Sequence, residues 1–227
     1  MTNLSPNRRD ALKLMAAGLT GLATLPAAAE PTPAPLPYPT TGEEALEALK
    51  KGNERYLHPP LKSCSADFPD LRKQYEKVQH PFAAILSCAD SRVPTELVFD
   101  QTLGQLFVVR VAGNIATPDT IASLEYAGIA IGVKLLLVIG HTNCGAIKAT
   151  STNEPVPGQI STLFQYMSPA VKGVSDLTEA SRRNAILQAT TLRDASPVIS
   201  KLVADHKLLV KAALYDVLTG EVTILDL

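Results

Sequence analysis

Two short, unbroken apolar runs constrain this chain more than any other feature, because each ends on a residue type that binds metal. Phe82-Ala83-Ala84-Ile85-Leu86-Ser87 leads straight into Cys88, and Leu135-Leu136-Leu137-Val138-Ile139-Gly140 leads into His141, with Cys144 three residues on. Runs this apolar, with no polar alternation, read as strands covered on both faces, which is the habit of a parallel sheet. In open α/β sheets, ligands collect at the carboxyl ends of the strands. Two such strands would therefore present Cys88, His141 and Cys144 along one edge. Two thiolates and an imidazole are one donor short of a closed tetrahedron. A structural zinc site fills all four positions, whereas a catalytic one leaves a position open. The count points to chemistry at the metal. Cys64 has no ligand-type neighbour at a useful spacing and reads as a small buried hydrophobe.

The remaining pattern supplies helices between the strands. Thr41-Gly42-Glu43-Glu44 is a capping box that opens an amphipathic N-terminal helix ending near His58-Pro59-Pro60. A short helix is predicted over 70–78, and Pro94 and Pro118 each stand where a helix can begin. Strands are predicted at 82–87, 106–111, 134–140 and 208–215, with Gly113-Asn114 as a turn. Residues 159–206 read as helical with breaks near Gly173 and Pro197, and Thr219-Gly220 turns the last strand into 222–225. Strands alternating with helices imply an α/β fold: a mainly parallel central sheet flanked by helices, with an N-terminal helical arm.

Outside that domain, assigned to 41–227, lie two further segments. Asn7-Arg8-Arg9-Asp10-Ala11-Leu12-Lys13 is close to a twin-arginine export signal, although Ala11 occupies the position usually held by an aromatic residue. An apolar stretch too short to span a bilayer follows, and Pro26-Ala27-Ala28-Ala29 offers a cleavage site, so 1–29 is expected to be a removable signal peptide. Residues 30–40 are proline-rich and are read as an extended tether. The chain has a formal net charge of −1, which becomes −3 on loss of the leader, and no basic run of the kind that nucleic-acid binders carry. The protein is thus expected in the periplasm, away from the membrane and from nucleic acid. Twin-arginine export carries folded proteins, so zinc-bound thiolates would arrive protected, and metal fits the three cysteines better than a disulfide.

With Cys88-Ala89-Asp90-Ser91-Arg92, Val108-Val109-Arg110-Val111-Ala112-Gly113-Asn114, Ser123-Leu124-Glu125-Tyr126-Ala127, Gly140-His141-Thr142-Asn143-Cys144-Gly145-Ala146 and Leu214-Tyr215-Asp216-Val217 in that order, and 52 residues between Cys88 and His141, the chain resembles the β-class carbonic anhydrases from about Gln79 to its C-terminus. The resemblance implies a lyase holding one zinc ion per chain through Cys88, His141 and Cys144. Its activity would be reversible hydration of carbon dioxide to bicarbonate and a proton by a zinc-bound hydroxide. Asp90 and Arg92 would be the catalytic pair: Asp90 orients the hydroxide and Arg92 keeps Asp90 ionised. In some members the same carboxylate moves onto the zinc as a fourth ligand. This chain lacks the tryptophan that accompanies that closed form, and Ile85 stands at its position, so the open form is the expected resting state. The match to the plant-like subgroup assigns Gln79, Phe107, Tyr126 and the Gly145 N–H to the substrate pocket. Family members are homodimers or larger assemblies in which the N-terminal helix embraces the partner and the pocket lies at the interface. His80, beside Gln79, is the candidate proton carrier. Two alternatives share these residues: hydrolysis of carbon disulfide or carbonyl sulfide on the same fold, and a zinc-stabilised binding module without turnover.

Overall fold

The computed structural model describes residues 38–227 apart from residue 153. The signal peptide assigned to 1–29, and the tether as far as residue 37, lie outside the described residues. Among the described residues five strands form one sheet in the order β2-β1-β3-β4-β5. β1 (Ala83–Ser87), β2 (Leu106–Arg110), β3 (Leu135–His141) and β4 (Leu209–Tyr215) run parallel, and β5 (Val222–Leu225) returns antiparallel to β4. Every residue of β1 and of β3 is buried. That is the physical reason their sequences lack alternation: each face of the sheet has its own core.

One face buries Ala84, Leu86, Leu136 and Val138 against Leu124 of α4 (Pro118–Tyr126), against Ala185, Ala189 and Leu192 of α7 (Leu177–Ala195), and against Ile199 of α8 (Pro197–Ala204). The other buries Ala83, Ile85, Leu135, Leu137 and Ile139 against Ala45 and Leu49 of α1 (Gly42–Leu57) and against Val98 and Phe99, at the end of α3 (Thr95–Val98). Full burial of one such aliphatic side chain stabilises by roughly 1.5–3 kcal/mol, so sheet placement is set by these two cores rather than by strand propensity.

The N-terminal helix docks on its own domain. Gly52 lies so close to the Phe99 carbonyl that a β-carbon there would stand 1.8 Å from the oxygen, so only glycine permits the approach. Buried Asn53 donates to the carbonyls of Val98 and Gly220 and accepts from Val222 N. Each such bond is worth about 0.5–1.5 kcal/mol net, and together they tie α1 to the β4–β5 turn. Half of the expected capping box forms. Thr41 Oγ1 accepts from Glu44 N, but the Glu44 carboxylate reaches past Thr41 to the Thr40 N–H and hydroxyl, at 2.8 Å each.

Three expectations need correction. The short helix α2 spans Phe68–Gln74 rather than 70–78, because Asp67 caps it by accepting from Asp70 N and Pro69 stands in its first turn. Tyr38, included in the 30–40 tether assignment, stacks on His80 with ring centroids 4.4 Å apart and meets Phe82 edge-on, so it belongs to the folded body. Cys64 is exposed, not buried. It sits in a 3₁₀ turn, Ser63–Ser65, at whose start the Asp100 carboxylate accepts from Lys62 N and Ser63 N.

Candidate metal centre

The parallel register of β1 and β3 sets Ser87 beside Ile139, so the residues that follow emerge at the same edge. Cys88 is the first residue past β1, and His141 is the last of β3. Asn143 then takes a left-handed conformation (φ 54°), one that asparagine tolerates better than most residues. The reversal brings Cys144 back toward His141 just before α5 (Gly145–Thr152) begins. Cys88, His141 and Cys144 are all buried, and one ligand atom from each lies within 4.8 Å of the others.

The donors suit a zinc ion. His141 Nδ1 lies 2.9 Å from the Thr142 carbonyl, which fixes the proton on Nδ1 and leaves the Nε2 lone pair free. That buried Nε2 has no hydrogen-bond partner among the described residues, a costly state unless a cation takes the lone pair. Thr142 is itself held, with its N–H on the Tyr215 carbonyl and its hydroxyl accepting from Val217 N. Cys88 Sγ accepts the Gly113 N–H at 3.3 Å. The Cys88 thiol is pulled down, first by the Cys144 S–H beside it, then by His141 and by the Gly113 N–H, against the opposing effect of burial. Cys144 is pushed up by Cys88 and by burial. A cation bound between two thiols displaces their protons, since the thiolate is the ligand form.

Asp90 and Arg92 face this group. The guanidinium grips the carboxylate with two bonds, Nε to Oδ1 at 2.9 Å and an Nη to Oδ2 at 2.7 Å, and Arg92 N adds a third at 2.9 Å. These bonds from Arg92, side chain first, hold the Asp90 carboxyl well below the usual carboxylate range. Asp90 Oδ2 stands 3.8 Å from His141 Nε2. The carboxylate named above as a possible fourth ligand is therefore turned to Arg92. Arg92 also donates to the Asn143 carbonyl at 3.1 Å, joining the two ligand loops.

A family model described as carbonic anhydrase matches residues 83–222. Carbonic anhydrase 2 of Mycobacterium tuberculosis is 34% identical over 193 residues, covering 80% of this chain and 92% of the relative. The carbonic anhydrase of Mycolicibacterium smegmatis is 31% identical, covering 78% and 90%. This chain belongs to the β-class carbonic anhydrase family. Among solved structures, the Coccomyxa β-carbonic anhydrase in complex with acetazolamide is similar at a TM-score of 0.63 and 26% identity, covering 79% of this chain and 84% of that one. A chain from the crystal structures of two tetrameric β-carbonic anhydrases of Sordaria macrospora shares the fold, at a TM-score of 0.64 and 21% identity over 78% of this chain and 91% of that chain. Membership carries the zinc-dependent hydration of carbon dioxide.

The other predicted site residues sit less centrally. Gly145 opens α5 directly after Cys144, and a side chain added there would point into open space. Phe107 on β2 and Tyr126 at the end of α4 meet at a centroid distance of 6.4 Å, and Tyr126 is 52% exposed. Gln79 is exposed and makes no hydrogen bond among the described residues. His80 is occupied in stacking on Tyr38. Two contributors escaped the sequence reading. Arg110 donates to the carbonyls of Cys88, at 3.0 Å, and of Asp90, at 2.6 Å, and so fixes the loop that carries both. Gly113 offers its N–H to sulfur, a backbone role that no residue type announces.

Proposed function

We propose that Cys88, His141 and Cys144 hold one zinc ion per chain and that Asp90 and Arg92 serve the hydration step beside it. The observation that carries this reading is the convergence of three buried donors, one with an unpartnered lone pair, on a carboxylate gripped by two guanidinium bonds. Zinc bound there supplies the Lewis acidity that lets a water ionise near neutral pH. Asp90 accepts the hydrogen bond of the attacking water and so aims its lone pair at the carbon of carbon dioxide. Arg92 keeps that carboxylate anionic and fixed. Metal analysis combined with a carbon dioxide hydration assay tests the reading, with carbon disulfide and carbonyl sulfide run alongside as competing substrates. Protein that is fully loaded with zinc yet turns over only the sulfur compounds would overturn it.

Phe107 and Tyr126 supply an apolar wall for carbon dioxide, while the Gly145 N–H and the Gln79 amide bind bicarbonate, as in the plant-like subgroup. The chain works as a homo-oligomer, a dimer at least, whose partner completes the pocket. The exposure of Gln79 and Tyr126, and a β2 edge that has no partner strand on its outer side among the described residues, support this. Removing one amide hydrogen bond costs roughly 0.5–1.5 kcal/mol. Gln79→Ala should therefore lower kcat/KM about 2- to 15-fold while zinc content and Tm stay unchanged. A variant with lowered Tm and normal kinetics would make Gln79 a structural residue instead.

Export by the twin-arginine route to the periplasm rests on the Arg8-Arg9 signal, and among the described residues no helix is long and apolar enough to cross a membrane. Replacing both arginines by lysine should leave the protein in the cytoplasm, as read by fractionation. Continued export of that variant would point to the general secretory route.

A further inference from the structure

We propose that Asn184 and Gln188, on the buried face of α7, are positioning residues for Cys88, because they fix the 113–116 loop so that the Gly113 N–H donates to the Cys88 sulfur. The proposal rests on the reading of Cys88 as a zinc ligand. Both amides are essentially inaccessible, one turn apart on a helix whose other buried positions are mostly apolar: Ala180, Ala185, Ala189 and Leu192. Two buried amides are costly unless fully bonded, and apolar residues would fill the same space at lower desolvation cost. Here every bond they make is accounted for. Asn184 Nδ2 donates to the Gly113 carbonyl at 2.8 Å. Gln188 Oε1 accepts from Ala116 N at 2.9 Å, and its Nε2 donates to Asn184 Oδ1 and to the Tyr166 carbonyl. The two side chains thus grip both ends of the loop and brace each other.

The loop cannot take this shape unaided. Gly113 has a φ of 77°, and a β-carbon there would lie 2.3 Å from the sulfur of buried Met167, so the position must be glycine, with its large backbone freedom. An anchored carbonyl on one side of Gly113 aims the N–H on the other side at sulfur. That bond draws charge off the thiolate and fixes its orientation, and partners of this kind tune both affinity and acidity at a metal. With two thiolates in the donor set, tempering one of them preserves the Lewis acidity that the reaction uses.

The full chain loaded with cobalt(II) in place of zinc provides the test. The wild type should show a sulfur-to-cobalt charge-transfer band in the near ultraviolet. In Asn184→Leu this band should move to lower energy, and zinc affinity measured by chelator competition should fall about 10-fold or more. Leu192→Ala weakens the same helix away from the loop, and should leave both readouts at their wild-type values. A band unmoved in folded Asn184→Leu, or moved equally in Leu192→Ala, overturns the proposal. A wild type without any such band removes the thiolate-ligand reading itself, and the proposal with it. Should Asn184→Leu not fold, wild-type protein loaded with cadmium-113 reads the bond directly: a scalar coupling between the Gly113 amide and the metal is expected, and its absence overturns the proposal.

Discussion

Cys144→Ser should lose most of its zinc and nearly all of its activity, while Cys64→Ser keeps both. Serine matches cysteine in shape, but its alcohol does not ionise near neutral pH, so one of two anionic donors becomes a neutral one. The site is buried, and among the described residues the His141 Nε2 that faces it has no hydrogen-bond partner; the nearest other anion, the Asp90 carboxylate, is held by Arg92. Groups that only orient a metal ligand are worth roughly 10- to 100-fold in affinity, so loss of the ligand itself should exceed that range. Cys64 lies exposed in its 3₁₀ turn, outside the Cys88–His141–Cys144 group. Metal content by mass spectrometry and hydration rate per chain check both variants. Equal zinc loss in the two would sink the ligand assignment. The same donor set predicts that zinc is released as the pH falls, since protons compete for both thiolates and the imidazole.

How far the sequence could be read follows from which residues have few chemical uses. β1 and β3 were legible because apolar runs such as Leu135–Ile139 leave little but a strand covered on both faces, and their ends carried the ligand residues. Cys88, His141 and Cys144 were legible as types. Asp90 was ambiguous by nature, since a carboxylate two residues past a metal-ligand cysteine can reach either the metal or Arg92. Only the geometry shows it held by three bonds from Arg92. The supports were not legible at all. Gly113 reads as a turn residue, its N–H···S bond being invisible in one-letter code, and Asn184 and Gln188 read as ordinary polar positions on a long helix. Cys64 misled for the opposite reason: burial is a frequency for cysteine, and a turn with no buried residue escapes it. The boundary of α2 slipped because Asp67 caps it and the helix begins at Phe68.

Asp90→Asn should lower kcat on the order of 10²-fold or more while the protein folds, keeps its zinc and changes little in Tm. The substitution preserves shape but replaces an anionic acceptor with an amide that presents an N–H on one side. The attacking water then loses the partner that aims it, and Arg92 loses half of its grip. Zinc should stay, because the Asp90 carboxylate spends its bonds on Arg92 rather than on the ligand group. Stability should change little because the pair is partly exposed, at 17% for the Asp90 side chain and 47% for Arg92, and such pairs contribute about 0–1 kcal/mol. The sign of the pH dependence follows from the depressed Asp90 carboxyl. Its contribution to stability is fully present above the unfolded carboxylate pKa of about 4 and is lost only as the pH falls through the lower folded value. Asp90 therefore stays ionised throughout the neutral range, and any inflection there in the pH–rate profile belongs to another group and should survive the mutation, at a lower plateau. Arg92→Ala should show a loss of similar size, and the double variant should be little worse than either single one, because residues that act as a unit are lost as a unit. Near-normal turnover in Asp90→Asn with full zinc would show that the water needs no anionic acceptor, and Asp90–Arg92 would then be a brace between the ligand loops.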